Sequence, residues 1–283
     1  MKPFITQLIL GAALLAPASL FAQAYSEGII NVPNGILPQA NGIDDEDQIV
    51  GDFENADGSA VHGFLFSHGV VAQIDWPGSV VTGSLAINST AGIVSYYETA
   101  TGQFDMLDSK RRLQKIKGSA DLSVLGINAS GNFVAFNGNT GYINVKGVYT
   151  KVNPTVCQRL TPPSAVYVAG INSNNDYVGY CWDQTTPYIG FAHVGGGDQT
   201  VSVFGRPTFP TGINDSGTIA GYFTDSSGFN HGFVLSGGTA TQYDFVTATA
   251  GTQIVGINNG GSLVGNTVVD RNVGWVPFFA FAN

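Results

Sequence analysis

The chain has 283 residues and a formal net charge of −9 at pH 7, with 11% charged residues and 38 glycines. A negative surface repels phosphate backbones, so nucleic acid is excluded as an expected partner. Scarce charge combined with Val, Ile, Phe, Tyr and Gly favours short strands joined by tight turns over surface helices.

Residues 1–24 carry Lys2, an apolar run from Leu8 to Leu15, and small residues ending in Ala22-Gln23-Ala24. That order of charged, apolar and small residues is expected of a cleaved signal peptide, cut after Ala24, whose apolar run is too short to cross a bilayer. No Cys marks a lipid anchor at the cut, and no later run is long enough for a membrane span. The expected product is secreted or periplasmic, with residues 25–283 forming one domain.

A repeat of about 43 residues then runs to the C-terminus. Its anchor is a small residue, Ile, and Asn or Asp: Gly42-Ile43-Asp44, Ala86-Ile87-Asn88, Gly126-Ile127-Asn128, Gly170-Ile171-Asn172, Gly212-Ile213-Asn214 and Gly256-Ile257-Asn258. A polar turn and a second apolar run follow, as in Asn214-Asp215-Ser216-Gly217 before Thr218 to Tyr222. Asn, Asp and Gly accept the positive φ angles of tight hairpins, so anchor and run should be antiparallel. A second hairpin follows, as in His62-Gly63-Phe64-Leu65-Phe66 and His231-Gly232-Phe233-Val234-Leu235. Four strands per repeat predict an all-β, six-bladed β-propeller. Phe278 to Phe281 align with a third strand and leave the last blade one strand short, while Gly28 to Val32 form an unassigned strand. The N-terminal strand is therefore expected to complete the C-terminal blade and remove open sheet edges. The anchor strand becomes the innermost one, where crowding explains the small residue before each Ile.

The pattern of Gly-Ile-Asn, turn Gly, Val-Gly-Tyr and His-Gly-Phe resembles the bacterial extracellular repeats of the HAF family, named for a His-Ala-Phe element. The element reads His62-Gly63-Phe64 and His231-Gly232-Phe233, Gly190-Phe191 keeps part of it, and the second and third copies lack it. The resemblance spans essentially everything after residue 24. It implies export and repetition and brings no catalytic residue.

Candidate chemistry is sparse. The Asn and Asp at 44, 88, 128, 172, 214 and 258 read as hairpin residues bonding their own turns, with an ion or polar ligand at one channel mouth as the sharper alternative. The apparent glycosylation acceptors Asn88, Asn128 and Asn214 fall in the same turns. His62 and His231 share a repeat position and sit too far apart on a ring to converge, while His68 lies in a turn and His193 in a strand without an acidic or Cys neighbour in sequence. No metal site or catalytic triad is expected from them. The run Asp44, Asp45, Glu46, Asp47 lacks the spacing of a calcium loop, so no cofactor is expected and calcium is the one ion the run would take. Lys110, Arg111, Arg112, Lys115 and Lys117 form a basic cluster at the outer rim of the second repeat, read as edge protection or as a docking patch for an acidic polysaccharide.

Cys157 and Cys181 should reach the same face of the disc and form a disulfide. The loops of that face, Trp76 to Ser84, Asn153 to Ala165, Trp182 to Tyr188, Phe204 to Pro210 and Asn266 to Trp275, hold all three tryptophans. Trp76, Trp182, Tyr188, Arg206 and Trp275 are the candidate ligand-binding residues. The expected function is non-enzymatic binding or scaffolding toward an extracellular carbohydrate or protein, as a monomer. The alternative is a propeller-type polysaccharide hydrolase or lyase, which would bring two or more of Asp183, Asp270, Arg206 and Tyr188 together around the central mouth.

Overall fold

The computed structural model describes residues 24–283 apart from 91, 100–101, 110–111, 116–121, 162–163 and 186–187. The signal segment lies outside the described residues up to residue 23. So does the basic cluster, apart from the backbone of Arg112–Lys115, which forms a strand.

The fold is an all-β propeller, but the expected six blades are corrected to five hydrogen-bonded sheets. Four sheets have four strands and one has eight. The eight-stranded sheet carries the first two repeats, Gly35–Ile43 through Val70–Ile74 and Val81–Ile87 through Arg112–Lys115. They are fused by one parallel pair, Val61 with Val81, beside a bond from Val61 N–H to Val80 O at 3.3 Å. The connection between these repeats, residues 75–80, turns at Pro77-Gly78, where Ser79 N–H bonds Trp76 O at 3.1 Å, and backbone groups on its two sides then pair with each other rather than with water.

Within each repeat the strands run outward in order, antiparallel throughout. The last sheet is completed by the start of the chain: Tyr25–Ile29 pairs with Gly274–Ala282, with Gly28 opposite Phe279 and Ile29 opposite Phe278. The strand begins three residues earlier than the sequence pattern suggests and stops at Ile29. The seam is also closed on its inner side, where the Asn266 carboxamide accepts from Ala40 N–H and donates to Ala40 O, at 2.9 and 3.0 Å.

Side chains from adjacent sheets share each core. One cluster joins Val134 of the third repeat to Val168, Ile171, Cys181 and Phe191 of the fourth. The element that reads His-Gly-Phe has a simple division of labour, since Phe64, Phe191, Phe233 and Phe278 occupy matching third-strand positions and are all fully buried. Burying each contributes about 1.5–3 kcal/mol.

Every innermost strand carries an irregularity just before its anchor, in the sequence pattern's blind spot, and the first of them has a second between Ile36 and Gln39. The shared slip in pairing falls between the residues flanking Asn41, Leu85, Leu125, Ala169, Thr211 and Val255, each two residues before an anchor Ile. Such a bulge leaves one residue unpaired and re-aims its side chain. The second strands approach so closely beside several of these bulges that only glycine fits: a Cβ on Gly179 or Gly221 would collide with the carbonyl oxygen of Tyr167 or Phe209.

Candidate functional site

The strands surround an axial channel whose two ends are chemically different. At the end where the innermost strand turns into the second, all six anchors converge on a small cavity of about 70 Å³. Here Asn88 Oδ1 accepts from the N–H groups of Thr90 and Gly92 at 3.1 and 2.8 Å, which folds its own turn. Its Nδ2 donates to the carbonyl of Asn128, the same position in the next repeat, at 2.9 Å. The link recurs from Asn128 to Asn172, Asn172 to Asn214, Asn214 to Asn258 and Asn258 to Asp44, at 2.8 to 3.2 Å. Hairpin chemistry therefore accounts for these residues and adds a belt between repeats. Asn88, Asn128 and Asn214 are buried and engaged in it.

The belt has one break. Asp44 Oδ1 accepts from Glu46 and Gln48 N–H, both at 2.9 Å, so its second oxygen takes the place of an amide nitrogen and, ionised, has no proton to donate onward to Asn88. Burial, with Asp45 and Glu46 adding repulsion, outweighs the two backbone bonds and pushes the Asp44 carboxyl up to about 6.

Beyond a neck lined by the anchor isoleucines and the bulge residues, the opposite end opens into a larger cavity of about 230 Å³. Tyr167, Tyr180 and Tyr222 line one part of it and Gln39, Asn41 and Gln253 another. No Asp, Glu, Lys, Arg or His is among its described lining residues. The three tyrosine hydroxyls and the carboxamides of Gln39 and Gln253 make no hydrogen bond to another described residue. Asn41 spends both amide protons, on Asp52 Oδ2 at 2.6 Å and on Ser84 O at 3.0 Å, which leaves its oxygen as an acceptor for the mouth. Burial raises all three phenols above their ordinary value, Tyr222 to about 12, with neighbouring phenols adding to the rise for Tyr180 and Tyr222, so they remain protonated donors at neutral pH.

These rings extend outward as one arc. Tyr167 stacks on Tyr180 at 4.9 Å, Tyr180 meets Phe209 edge-on at 5.1 Å, and Phe209 stacks on Tyr222 at 4.7 Å. Trp182 and Tyr188 join at 5.7 and 5.9 Å from Tyr180, and Tyr188 is 42% exposed. Two of the five sequence-derived candidates thus lie together beside the mouth. The others do not join them: Trp76 stacks on Tyr97 at 4.7 Å, Trp275 packs over Gly251, and Arg206 sits exposed in a turn whose N–H bonds Val203 O. The loops are also shorter than expected, since Ser84, Pro210, Asn266 and Trp275 all lie in strands.

None of Asp183, Asp270, Arg206 and Tyr188 is among the described residues lining the mouth. Asp183 accepts from Thr161 and Thr185 N–H, Asp270 caps the turn at Asn272, and neither lines the mouth. Three of the four histidines have acidic partners that sequence proximity hid: Nδ1 of His62 lies 3.0 Å from Asp75, that of His231 2.9 Å from Asp244, and that of His193 2.7 Å from Asp198. Each links a third strand to the outermost strand, in Asp198, or to the residue just past its end, in Asp75 and Asp244, and the pairs lie on separate sheets. The expected disulfide joins Cys157, in the short helix Thr155–Cys157, to Cys181 in the strand that carries Tyr180 and Trp182.

Sequence reasoning missed the mouth tyrosines, yet a signal exists. The residue nine after each anchor Ile is Asp52, Tyr96, Phe136, Tyr180, Tyr222 and Asn266. The anchor position hardly varies between repeats, whereas this one changes chemistry from copy to copy.

No protein-family model and no curated protein matches the chain. Solved structures do. The lectin SapL1 in complex with alpha methyl fucoside superposes with a TM-score of 0.55 at 14% identity, covering 88% of this chain and 94% of that one. TolB from Acinetobacter baumannii gives 0.55 at 11% identity over 83% and 64%, and a gluconolactonase from Xanthomonas campestris 0.52 at 10% over 95% and 94%. The likeness is one of fold.

Proposed function

We propose that the protein is an exported, non-enzymatic binding module that recognises carbohydrate on the face bearing Trp182 and Tyr188. The observation that carries this reading is the arc of rings from Tyr167 to Tyr188 beside a mouth lined by free amides and phenols. The half-buried Trp182 and exposed Tyr188 at the outer end of the arc, beside a mouth with convergent polar groups, suit a ligand that is apolar on its C–H faces and polar at its edges. Export is supported by the N-terminal order of charged, apolar and small residues, by the resemblance to HAF repeats and by the disulfide, which persists in oxidising compartments. SapL1, a propeller described with a bound fucoside, supports sugar recognition as something this architecture can host. The test is a glycan panel probed with the wild-type chain and with Trp182→Ala and Tyr188→Ala, with and without calcium. Binding weakened at least tenfold in the variants is expected, and a panel on which the wild type binds nothing removes the reading.

A further inference from the structure

Resting on that reading, we infer that the axial mouth takes a single uncharged sugar unit, one per molecule. Size is the first argument. A cavity of about 230 Å³ is smaller than the roughly 300–1,000 Å³ of sites that enclose drug-sized ligands, and suits one sugar ring rather than a stretch of chain.

Charge is the second. An acidic sugar calls for Arg or Lys, and the described lining contains neither. Asp52, whose carboxylate accepts from Asn41 at 2.6 Å, is not among that lining. A quaternary ammonium would want open ring faces. Here the faces are stacked on each other, Tyr167 on Tyr180 and Tyr222 on Phe209. What the tyrosines have left to offer is their hydroxyls, held protonated by burial. Together with Gln39, Gln253 and the fixed oxygen of Asn41 they supply unpaired donors and acceptors around one small volume, which is the complement of a ring of alcohols.

Stoichiometry is the third. The tyrosines come from the fourth and fifth repeats, while Gln39 and Asn41 come from the first and Gln253 from the last. The set occurs once, on the axis, so the site is not multiplied by repetition.

Isothermal titration with the α-methyl glycosides of glucose, galactose, mannose and fucose tests this, beside glucuronic acid and choline. One neutral glycoside is expected to bind with one site per chain. Tyr222→Phe combined with Gln253→Ala should weaken it at least tenfold with the melting temperature unchanged, whereas Val148→Ala, exposed on the outermost strand of the third repeat, should change it less than threefold. Three or more sites, preference for glucuronic acid or choline, or indifference to the double variant overturns the inference. If no glycoside binds while panel glycans still do, the mouth assignment fails and the carbohydrate reading stands. Silence of both removes both.

Discussion

The two ends of the channel are made by the same six innermost strands and differ in almost everything else. At the narrow end each repeat presents the same carboxamide or carboxylate, and its polar atoms are consumed by its own turn and, at every position but Asp44, by the next repeat. At the wide end the repeats diverge, and the polar atoms of Tyr167, Tyr180, Tyr222, Gln39 and Gln253 remain unclaimed by the described protein. Uniformity goes with closure of the ring, and divergence goes with the capacity to recognise something. Buried groups that are fully satisfied stabilise a fold, whereas groups left unpaired at a cavity are available to a ligand.

The strongest way to break this comparison is to strike the narrow end. Asn128→Ala removes the acceptor for Ser130 and Asn132 N–H and the donor to Asn172 O. It should cost about 3–4 kcal/mol in urea unfolding, at about 1–3 kcal/mol per orphaned buried group, while glycan binding by the folded fraction is unchanged. Cys157→Ser with Cys181→Ser should cost about 3 kcal/mol in the chain-entropy account, measured by thermal unfolding against the oxidised wild type. Asp44→Asn should do the reverse, adding about 1–2 kcal/mol at pH 7.5 by completing the belt to Asn88. Asp44 holds its proton more tightly folded than unfolded, so wild-type stability should rise as pH falls from about 6 to about 4. The difference between wild type and Asp44→Asn should shrink over that window, and a difference independent of pH would show that Asp44 does not titrate there. The smallest effect on stability belongs to the wide end, where Tyr222→Phe should shift unfolding by less than about 0.5 kcal/mol, since its hydroxyl has no described partner to lose.

Much of the fold is legible in the chain, for reasons that separate the two ends again. The anchor Ile and its Asn recur because each repeat solves the same steric and hydrogen-bonding problem near the axis, and recurrence is visible in one sequence. Cys157 and Cys181 could be paired once strand order fixed which ends of the strands share a face. The fusion of the first two repeats was not legible, because it rests on a single backbone pair, Val61 with Val81, that leaves no trace in side-chain pattern. The mouth was hidden for a different reason. Tyr167, Tyr180 and Tyr222 look like ordinary strand aromatics, and only the bulges and the close approach at Gly179 and Gly221 turn their positions toward a cavity. Emphasis on loops drew attention to Trp76 and Trp275, which have neighbours of their own.

The seam between Tyr25–Ile29 and Gly274–Ala282 joins segments almost the whole chain apart, with Ser26 Oγ also bonded to Asn283 at 2.9 Å. Nothing in that pairing requires both strands to belong to one polypeptide. When the seam opens, two complementary edges are bared, and a neighbouring copy presents the same pair. Crowded preparations of a seam-weakened variant should therefore accumulate strand-exchanged dimers, each ring finished by the other's leading segment.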